Sequence, residues 1–206
     1  MYHYVMSDLH GCKKQFEEML KTIGFSPEDH LYIIGDVIDR GNDGIELLRY
    51  TMQTPNITLL LGNHELMMRE AIEKDDYDLW FYNGGISTLT NFRNLSEREQ
   101  DEMLEYLHTL PLYLDIAIGD RRYRLIHGAP MEDEADVENS VWERPEADQV
   151  FFSDKTVIIG HTPTRIYHNK DEIFHAGSFI DIDCGCVYFG TLACLRLEDM
   201  KEYYIG

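Results

Sequence analysis

Five short apolar runs of this chain each end at a residue whose side chain can bind a metal ion. Asp8 follows the run "YVMS", Asp36 follows "LYIIG", Asn63 follows "ITLLLG", His127 follows "YRLI" and His161 follows "VIIG". A glycine stands directly before three of these residues, where it lets the chain turn sharply out of a strand. Turn formers need not be Asp, Asn or His at every strand end, so the repetition favours a shared site. In an α/β sheet the carboxyl ends of neighbouring strands converge on one crevice, and ligands bind there.

Helical periodicity fills several of the stretches between these runs. Apolar residues spaced three and four positions apart predict an amphipathic helix over residues 12–24. A second helix is predicted through "GIELLRYTM", and a third from Asn63 onward. Ser96 and Glu99 form a capping-box pattern, which predicts the start of a fourth helix.

The apolar runs also indicate the strands and the architecture. Strands are predicted at "HYVM", "LYII", "ITLLL", "YLDIAI", "YRLI" and "TVII", with a hairpin turn at "GDRR". Strands that alternate with helices and then give way to hairpins predict an α/β chain with a mixed sheet system and helices outside it. At 206 residues, we predict a single domain over residues 1–206. The acidic segment 129–149 is predicted to be a long loop with short helical pieces, and "IDCGCVYFG" to be a core strand.

The charge of the chain limits the partners that it can bind. Lys plus Arg number 18 against 38 Asp plus Glu, which gives a formal net charge of −20. A surface this acidic repels long polyanions, so we expect no nucleic-acid binding, although local cations would still admit a small phosphorylated substrate. No apolar stretch reaches the length of a membrane span, and the N-terminus does not resemble a secretory signal. We therefore expect a cytoplasmic protein without membrane attachment.

The cysteines point to no redox or zinc site. They stand at positions 12, 184, 186 and 194, and "CGC" is the single close pair. One C-x-C pair without a second pair does not complete a zinc site. We expect free, mostly buried thiols.

The candidate ligands at the strand ends are carboxylates, imidazoles and one amide, without a thiolate. With His10, which follows Asp8 by two residues, they number six. This set suits Mn²⁺, Fe or Zn²⁺ better than copper or an iron–sulfur cluster, and it exceeds what one tetrahedral catalytic site needs. A bridging carboxylate would divide the ligands between two adjacent metals, the arrangement that serves an in-line phosphoryl displacement. We expect two divalent metal ions, with Mn²⁺ favoured and Fe or Zn²⁺ as alternatives.

Several motifs occur in a characteristic order: "DLHG", "GDVIDRG", "GNHE", a later "HG" and "GHTP". Together they resemble the calcineurin-like metallophosphoesterases. The arginine in "GDVIDRG" resembles the phosphoprotein phosphatase branch, and "YNGGIST" and "IDIDCGCVYFG" are similar to segments of its short bacterial and phage-type serine/threonine phosphatases. The resemblance extends from Asp8 to about Leu197. It implies a four-layer sandwich, with two mixed β-sheets flanked by helices and a dinuclear metal site at the carboxyl ends of the strands.

The resemblance also implies a role for each matching residue. The metal ligands would be Asp8, His10, Asp36, Asn63, His127 and His161, with Asp36 bridging the two ions. His64 would protonate the leaving oxygen, and Asp39 would hydrogen-bond its other nitrogen and so fix its tautomer. Arg40 would grip two phosphate oxygens, and Arg144 in "VWERP" resembles a second phosphate-binding arginine. The alternative for either arginine is a surface ion pair.

These roles predict a phosphomonoesterase that hydrolyses phosphoserine, phosphothreonine and small phosphate esters. The alternative enzyme is a symmetrical hydrolase of dinucleoside polyphosphates, in which Trp80, Tyr82 or Trp142 can stack on a base. A non-catalytic metal-binding scaffold is the third hypothesis, but it would have lost the acid or the phosphate clamp, and both are present. The chain lacks the longer C-terminal portion of eukaryotic protein phosphatases, so regulatory subunits are not expected.

Overall fold

The computed structural model describes residues 1–206 and contains ten strands and nine helices. The strands are β1 (His3–Met6), β2 (His30–Ile33), β3 (Ile57–Leu59), β4 (Tyr113–Ile118), β5 (Arg121–Ile126), β6 (Thr156–Ile159), β7 (Phe174–His175), β8 (Phe179–Asp181), β9 (Leu192–Arg196) and β10 (Lys201–Ile205). The helices are α1 (Lys13–Ile23), α2 (Gly44–Gln53), α3 (Asn63–Lys74), α4 (Asp78–Tyr82), α5 (Ile86–Arg93), α6 (Glu97–Thr109), α7 (Val137–Trp142), α8 (Arg165–His168) and α9 (Cys186–Phe189). All six predicted strands and all four predicted helices are present, with small shifts at their ends.

The strands form two mixed sheets of five strands each. The first has the order β10-β9-β1-β2-β3, in which β1, β2 and β3 run parallel and β9 pairs antiparallel with both β1 and β10. The second has the order β4-β5-β6-β8-β7, in which β5, β6 and β8 run parallel and the edge strands β4 and β7 antiparallel. The predicted hairpin turn is confirmed, because β4 and β5 pair on either side of it.

The two sheets pack face to face between outer layers. Val5 of β1 and Leu125 of β5 belong to one buried cluster between the sheets. A larger cluster of 29 buried residues lies between the first sheet and the helices α1, α2, α3, α5 and α6. The outer face of the second sheet is covered more thinly, by aromatic side chains that include Phe151, Phe152 and Tyr167. The predicted sandwich with helices outside is confirmed.

Two predictions about the later part of the chain have different outcomes. Segment 129–149 is irregular apart from α7, as predicted. The prediction of a core strand at "IDCGCVYFG" is wrong, because the segment forms a turn and the short helix α9. Gly185 and Gly190 flank α9 with φ of 74° and 88°, a left-handed conformation that interrupts strand pairing. The cysteines are free, with Cys12 half-buried and the other three buried, as expected. No helix combines the length and the apolar character that a membrane crossing requires.

Candidate functional site

The six predicted metal ligands come together where five strands end. Three of these strand ends belong to the first sheet and two to the second. The ligands are Asp8 and His10 after β1, Asp36 after β2, Asn63 after β3, His127 after β5 and His161 after β6. Two sets of side chains lie close enough to hold an ion: His10, Asp36 and His64, and Asp36, His127 and His161. Asp36 belongs to both sets, which is the position that a bridging carboxylate requires.

The backbone at this place is strained. Nine non-glycine residues of the chain have a positive φ, and six of them were predicted site residues: Asp8, His10, Asp36, Asp39, Arg40 and His161. A left-handed conformation costs a non-glycine residue on the order of 1 kcal/mol, and such strain concentrates at functional sites. The surrounding structure therefore holds these residues in a backbone conformation that they would not favour on their own.

His10 and His127 both turn Nε2 toward the cluster. Nδ1–H of His10 and of His127 each donates to a backbone carbonyl, at 2.9 and 2.7 Å. Because a carbonyl oxygen only accepts, Nδ1 carries a proton in both rings, and Nε2 is the nitrogen that faces the cluster and can bind a metal ion when the ring is neutral. Nε2 of His127 lies 2.9 Å from Oδ1 of Asn63 and 3.4 Å from Oδ1 of Asp36. Acceptor atoms that converge in this way fit a cation, and the donor set suits a divalent one.

The buried carboxylates of the site favour the binding of a cation. Burial disfavours the charged form of His127, but Asp36 and Asp8 outweigh it and raise its pKa to about 10. Burial, together with the neighbouring His127, lowers the pKa of His161 to about 3, and burial lowers the pKa of His10 well below its ordinary value. Neutral imidazoles bind metals, so two of the three rings are ready ligands. The raised pKa of His127 reflects buried carboxylates that lack a counter-charge.

His64 and Asp39 form the predicted pair. Nδ1 of His64 lies 2.6 Å from Oδ2 of Asp39, and both side chains are fully buried. Burial opposes protonation of His64, but Asp36 and Asp39 raise its pKa above the ordinary value. Nε2 of His64 has no hydrogen-bond partner and lies 3.8 Å from Oδ2 of Asp36. This nitrogen faces the cluster of ligands, where it can act either as a proton donor or as a further ligand.

Arg40 and Arg144 line one cavity of about 150 Å³ together with His10 and His161. Neither guanidinium lies within salt-bridge distance of a carboxylate, so the surface ion pair is absent in both cases. Arg40 contacts His10 and lies over the ring of Tyr188, 5.1 Å from its centroid. A larger open groove of about 540 Å³ beside α2 contains none of these residues. The smaller cavity is therefore the candidate phosphate site.

The three aromatic residues considered for base stacking occupy different environments. Trp80 is only 1% exposed and donates its Nε1–H to Oδ2 of Asp39 at 2.7 Å, so it cannot stack on a base. Tyr82 is 90% exposed, and Trp142 packs edge-on against His161. The sequence does not predict the contact of Trp80 with Asp39. The nearest signal is "YNGGIST", which begins two residues after Trp80 and is similar to a segment of the short bacterial and phage-type phosphatases.

Comparison with known proteins assigns the family. A family model described as calcineurin-like phosphoesterase matches residues 1–192. The chain belongs to this family. Calcineurin-like phosphoesterases use a dinuclear divalent metal site, and the His and Asp groups here can bind metal.

Relatives within the family carry two kinds of name. The chain is 30% identical over 151 residues to serine/threonine-protein phosphatase 2 of Salmonella typhimurium, covering 68% of this chain and 67% of that protein. It is 33% identical over 133 residues to a symmetrical bis(5'-nucleosyl)-tetraphosphatase of Acidovorax sp., covering 60% of this chain and 42% of that protein. A solved protein serine/threonine phosphatase from Saccharomyces cerevisiae shares the fold, with a TM-score of 0.66, 15% identity, and coverage of 100% of this chain and 79% of that one.

Proposed function

We propose that this phosphoesterase is a metal-dependent phosphomonoesterase that hydrolyses phosphoserine and phosphothreonine in proteins or peptides, together with small phosphate esters. The observation that carries the proposal is the buried pair of His64 and Asp39, which lies against the ligand cluster with Nε2 of His64 unpartnered. A proton donor matters most for esters whose leaving group is a poorly stabilised alkoxide, as in phosphoserine and phosphothreonine. The relatives named serine/threonine-protein phosphatase support the same substrate class.

The residues of the chain divide the work of this reaction. Two divalent ions, when bound, supply Lewis-acid stabilisation of the phosphate and lower the pKa of a water for in-line attack. We assign their binding to Asp8, His10, Asp36, Asn63, His127 and His161, and we favour Mn²⁺. Arg40 and Arg144 bind the phosphate oxygens from the cavity wall, where a planar guanidinium can engage two oxygens at once. His64 donates a proton from Nε2 to the leaving oxygen, and Asp39 holds its Nδ1–H.

Hydrolysis of symmetrical dinucleoside polyphosphates is the second candidate function. It is favoured by the 33% identity to a relative that carries that name. Of the three aromatic residues considered for base stacking, Trp80 is unsuitable because it is buried, so a base would need Tyr82, Trp142 or another exposed ring. This candidate function uses the same metal ligands and differs in the residues that would bind the nucleoside part of the substrate.

The test compares three substrates with Mn²⁺-loaded protein: a phosphothreonine peptide, para-nitrophenyl phosphate and diadenosine tetraphosphate. We expect turnover of the phosphopeptide, and a fall in its kcat by about 10²–10⁴-fold in His64→Asn, the range for loss of general-acid catalysis. Metal content of the variant is measured in parallel. If His64→Asn binds fewer ions than the wild type, His64 is a ligand rather than the acid.

Two outcomes would contradict the proposal. Preferential cleavage of diadenosine tetraphosphate would transfer the assignment to the second candidate. Two bound ions without turnover of any substrate would favour the non-catalytic scaffold.

A further inference from the structure

Trp80 connects the outer helices to the buried pair of His64 and Asp39. Its indole Nε1–H donates to Oδ2 of Asp39 at 2.7 Å, and the same oxygen lies 2.6 Å from Nδ1 of His64. Oδ1 of Asp39 is buried and has no partner. Both donors thus converge on one oxygen, and rotation of the carboxylate away from this position would break both hydrogen bonds. A buried indole N–H needs an acceptor in any protein, but here the acceptor is the atom that orients His64.

The turn between α4 and α5 is built to hold this contact. A Cβ on Gly85 would lie 2.5 Å from Cδ1 and Cε2 of Trp80, so only glycine lets the indole pack flat against the backbone. The carbonyl of Gly84 accepts the backbone N–H of Arg40 at 3.2 Å. The hydroxyl of Thr88, in α5, accepts the backbone N–H of Asp39 at 3.0 Å. The segment from Trp80 to Thr88 therefore contacts the loop of Asp39 and Arg40 at three points.

We propose that Trp80 is a positioning residue, which holds Asp39 in the rotamer that orients His64 for proton donation to the leaving oxygen. This inference rests on the proposed function, because it concerns the same proton transfer. Trp80 does not line the candidate phosphate cavity, and its indole N–H donates to Asp39 rather than to a predicted metal ligand. Its effect on the reaction therefore passes through Asp39 and His64. Loss of the indole N–H should therefore lower kcat for substrates whose leaving oxygen needs a proton, and should change kcat little for other substrates.

The test uses Trp80→Phe, which removes the N–H and keeps an aromatic ring, with two substrates of different leaving group. We expect kcat for a phosphothreonine peptide to fall about tenfold, the effect of losing one hydrogen bond. We expect kcat for para-nitrophenyl phosphate to change less than about threefold, because its leaving group departs as a stabilised anion and needs no proton. Gly85→Ala, which displaces the indole, should show the same selectivity.

Two comparisons separate positioning from a general structural effect. In a His64→Asn background, Trp80→Phe should cause no further loss with the phosphopeptide, because the group through which it acts is gone. Tyr106→Phe removes another partly buried hydrogen bond, to Oγ1 of Thr51, and should leave the ratio of the two substrates unchanged. Equal losses of Trp80→Phe on both substrates, or a loss that persists in the His64→Asn background, would overturn the inference.

A readout on metal-free protein tests the contact itself. The chain has 2 tryptophans, so a ¹H–¹⁵N spectrum contains two indole N–H resonances, and Trp80→Phe identifies one of them. The Trp80 resonance should exchange slowly with solvent and should move in Asp39→Asn, whereas an unmoved resonance would contradict the hydrogen bond. A wild type that is inactive on both substrates would refute the proposed function and the inference with it. An active wild type with an unselective loss would refute the inference alone.

Discussion

Glu65 shows how one side chain shapes the loops that carry the ligands. Its two carboxylate oxygens accept the backbone N–H groups of Asp36 at 2.8 Å, Val37 at 2.9 Å and Gly62 at 3.2 Å. The carboxylate is completely buried at the start of α3. It therefore ties the loop after β2 to the loop after β3, and so places Asp36 relative to Asn63. From the sequence, Glu65 in "GNHE" is interpreted as a structural residue that caps or braces the loop, and these hydrogen bonds agree with that interpretation.

We predict that Glu65→Gln destabilises the metal-free protein. The amide nitrogen of glutamine is a donor, so at least one of the three backbone N–H groups would be left buried and unsatisfied. The free energy of unfolding should fall by about 1–3 kcal/mol, measured by urea denaturation. Glu17→Gln, at an exposed position of α1, is the matched control and should stay within about 0.5 kcal/mol of the wild type. An unchanged unfolding midpoint in Glu65→Gln would show that the carboxylate does not brace the loops.

Among the elements, β5 holds the acidic segment 129–149 against the second sheet. Arg124 is 4% exposed and donates to Asp115 of β4 at 2.8 and 2.7 Å and to Glu134 at 2.6 Å. Its guanidinium also lies over the ring of Tyr113, 4.1 Å from the centroid. The contact with Glu134 fixes the segment ten residues before Arg144, which lines the candidate phosphate cavity.

We predict that Glu134→Gln weakens substrate binding more than it slows the chemical step. Loss of this contact should raise KM for a phosphate ester by about twofold to fivefold with little change in kcat, since an ion pair whose carboxylate is exposed to solvent contributes about 1 kcal/mol. Glu132→Gln, two residues away and exposed, is the control that should leave KM unchanged. A loss of kcat at unchanged KM would disagree with a phosphate-binding role for this segment.

The same pair of strands should respond to acid. Hydrogen bonds from Arg124, and then from Lys155, outweigh burial and lower the pKa of Asp115 to about 2. Because the pKa is lower in the folded than in the unfolded chain, this group stabilises the fold above about pH 4, and its contribution is lost as the pH falls toward 2. Asp115→Asn should therefore reduce the decline of the unfolding free energy across that window. A wild type and variant with parallel acid limbs would contradict this assignment.

The sequence predicts those helices and strands that have strong periodicity or lie beside a motif. It does not predict conformations and side-chain burial that depend on tertiary contacts. Strand ends and their ligands could be predicted because each motif lies next to an apolar run. The strand predicted at "IDCGCVYFG" was wrong because its aromatic and β-branched residues favour a strand, whereas two left-handed glycines impose a turn and a helix. Trp80 was considered for base stacking but is buried, and a helix of five residues is too short for periodicity to show which aromatic side chain faces inward. The single domain over residues 1–206 stays a prediction.

At the scale of the whole molecule, the formal net charge of −20 should bias the choice of substrate. We predict a higher kcat/KM for phosphothreonine peptides with basic flanks than for those with acidic flanks, by up to about tenfold at low ionic strength. The difference should shrink as salt is added, because the Debye length falls from about 10 Å at 0.1 M to about 3 Å at 1 M. Equal kcat/KM values for the two peptides at low salt would show that the net charge does not act at the site.

We propose that six side chains from five strand ends hold two divalent ions, with Asp36 shared between them. The most direct test is the number of Mn²⁺ ions bound per chain, measured by elemental analysis and calorimetric titration of the wild type, Asp36→Asn and His161→Asn. We predict two ions for the wild type, one for His161→Asn, and weakened binding of both ions for Asp36→Asn, because Asp36 lies in both ligand sets. A wild type that binds one ion, or an Asp36→Asn variant that binds two with unchanged affinity, would contradict the shared site.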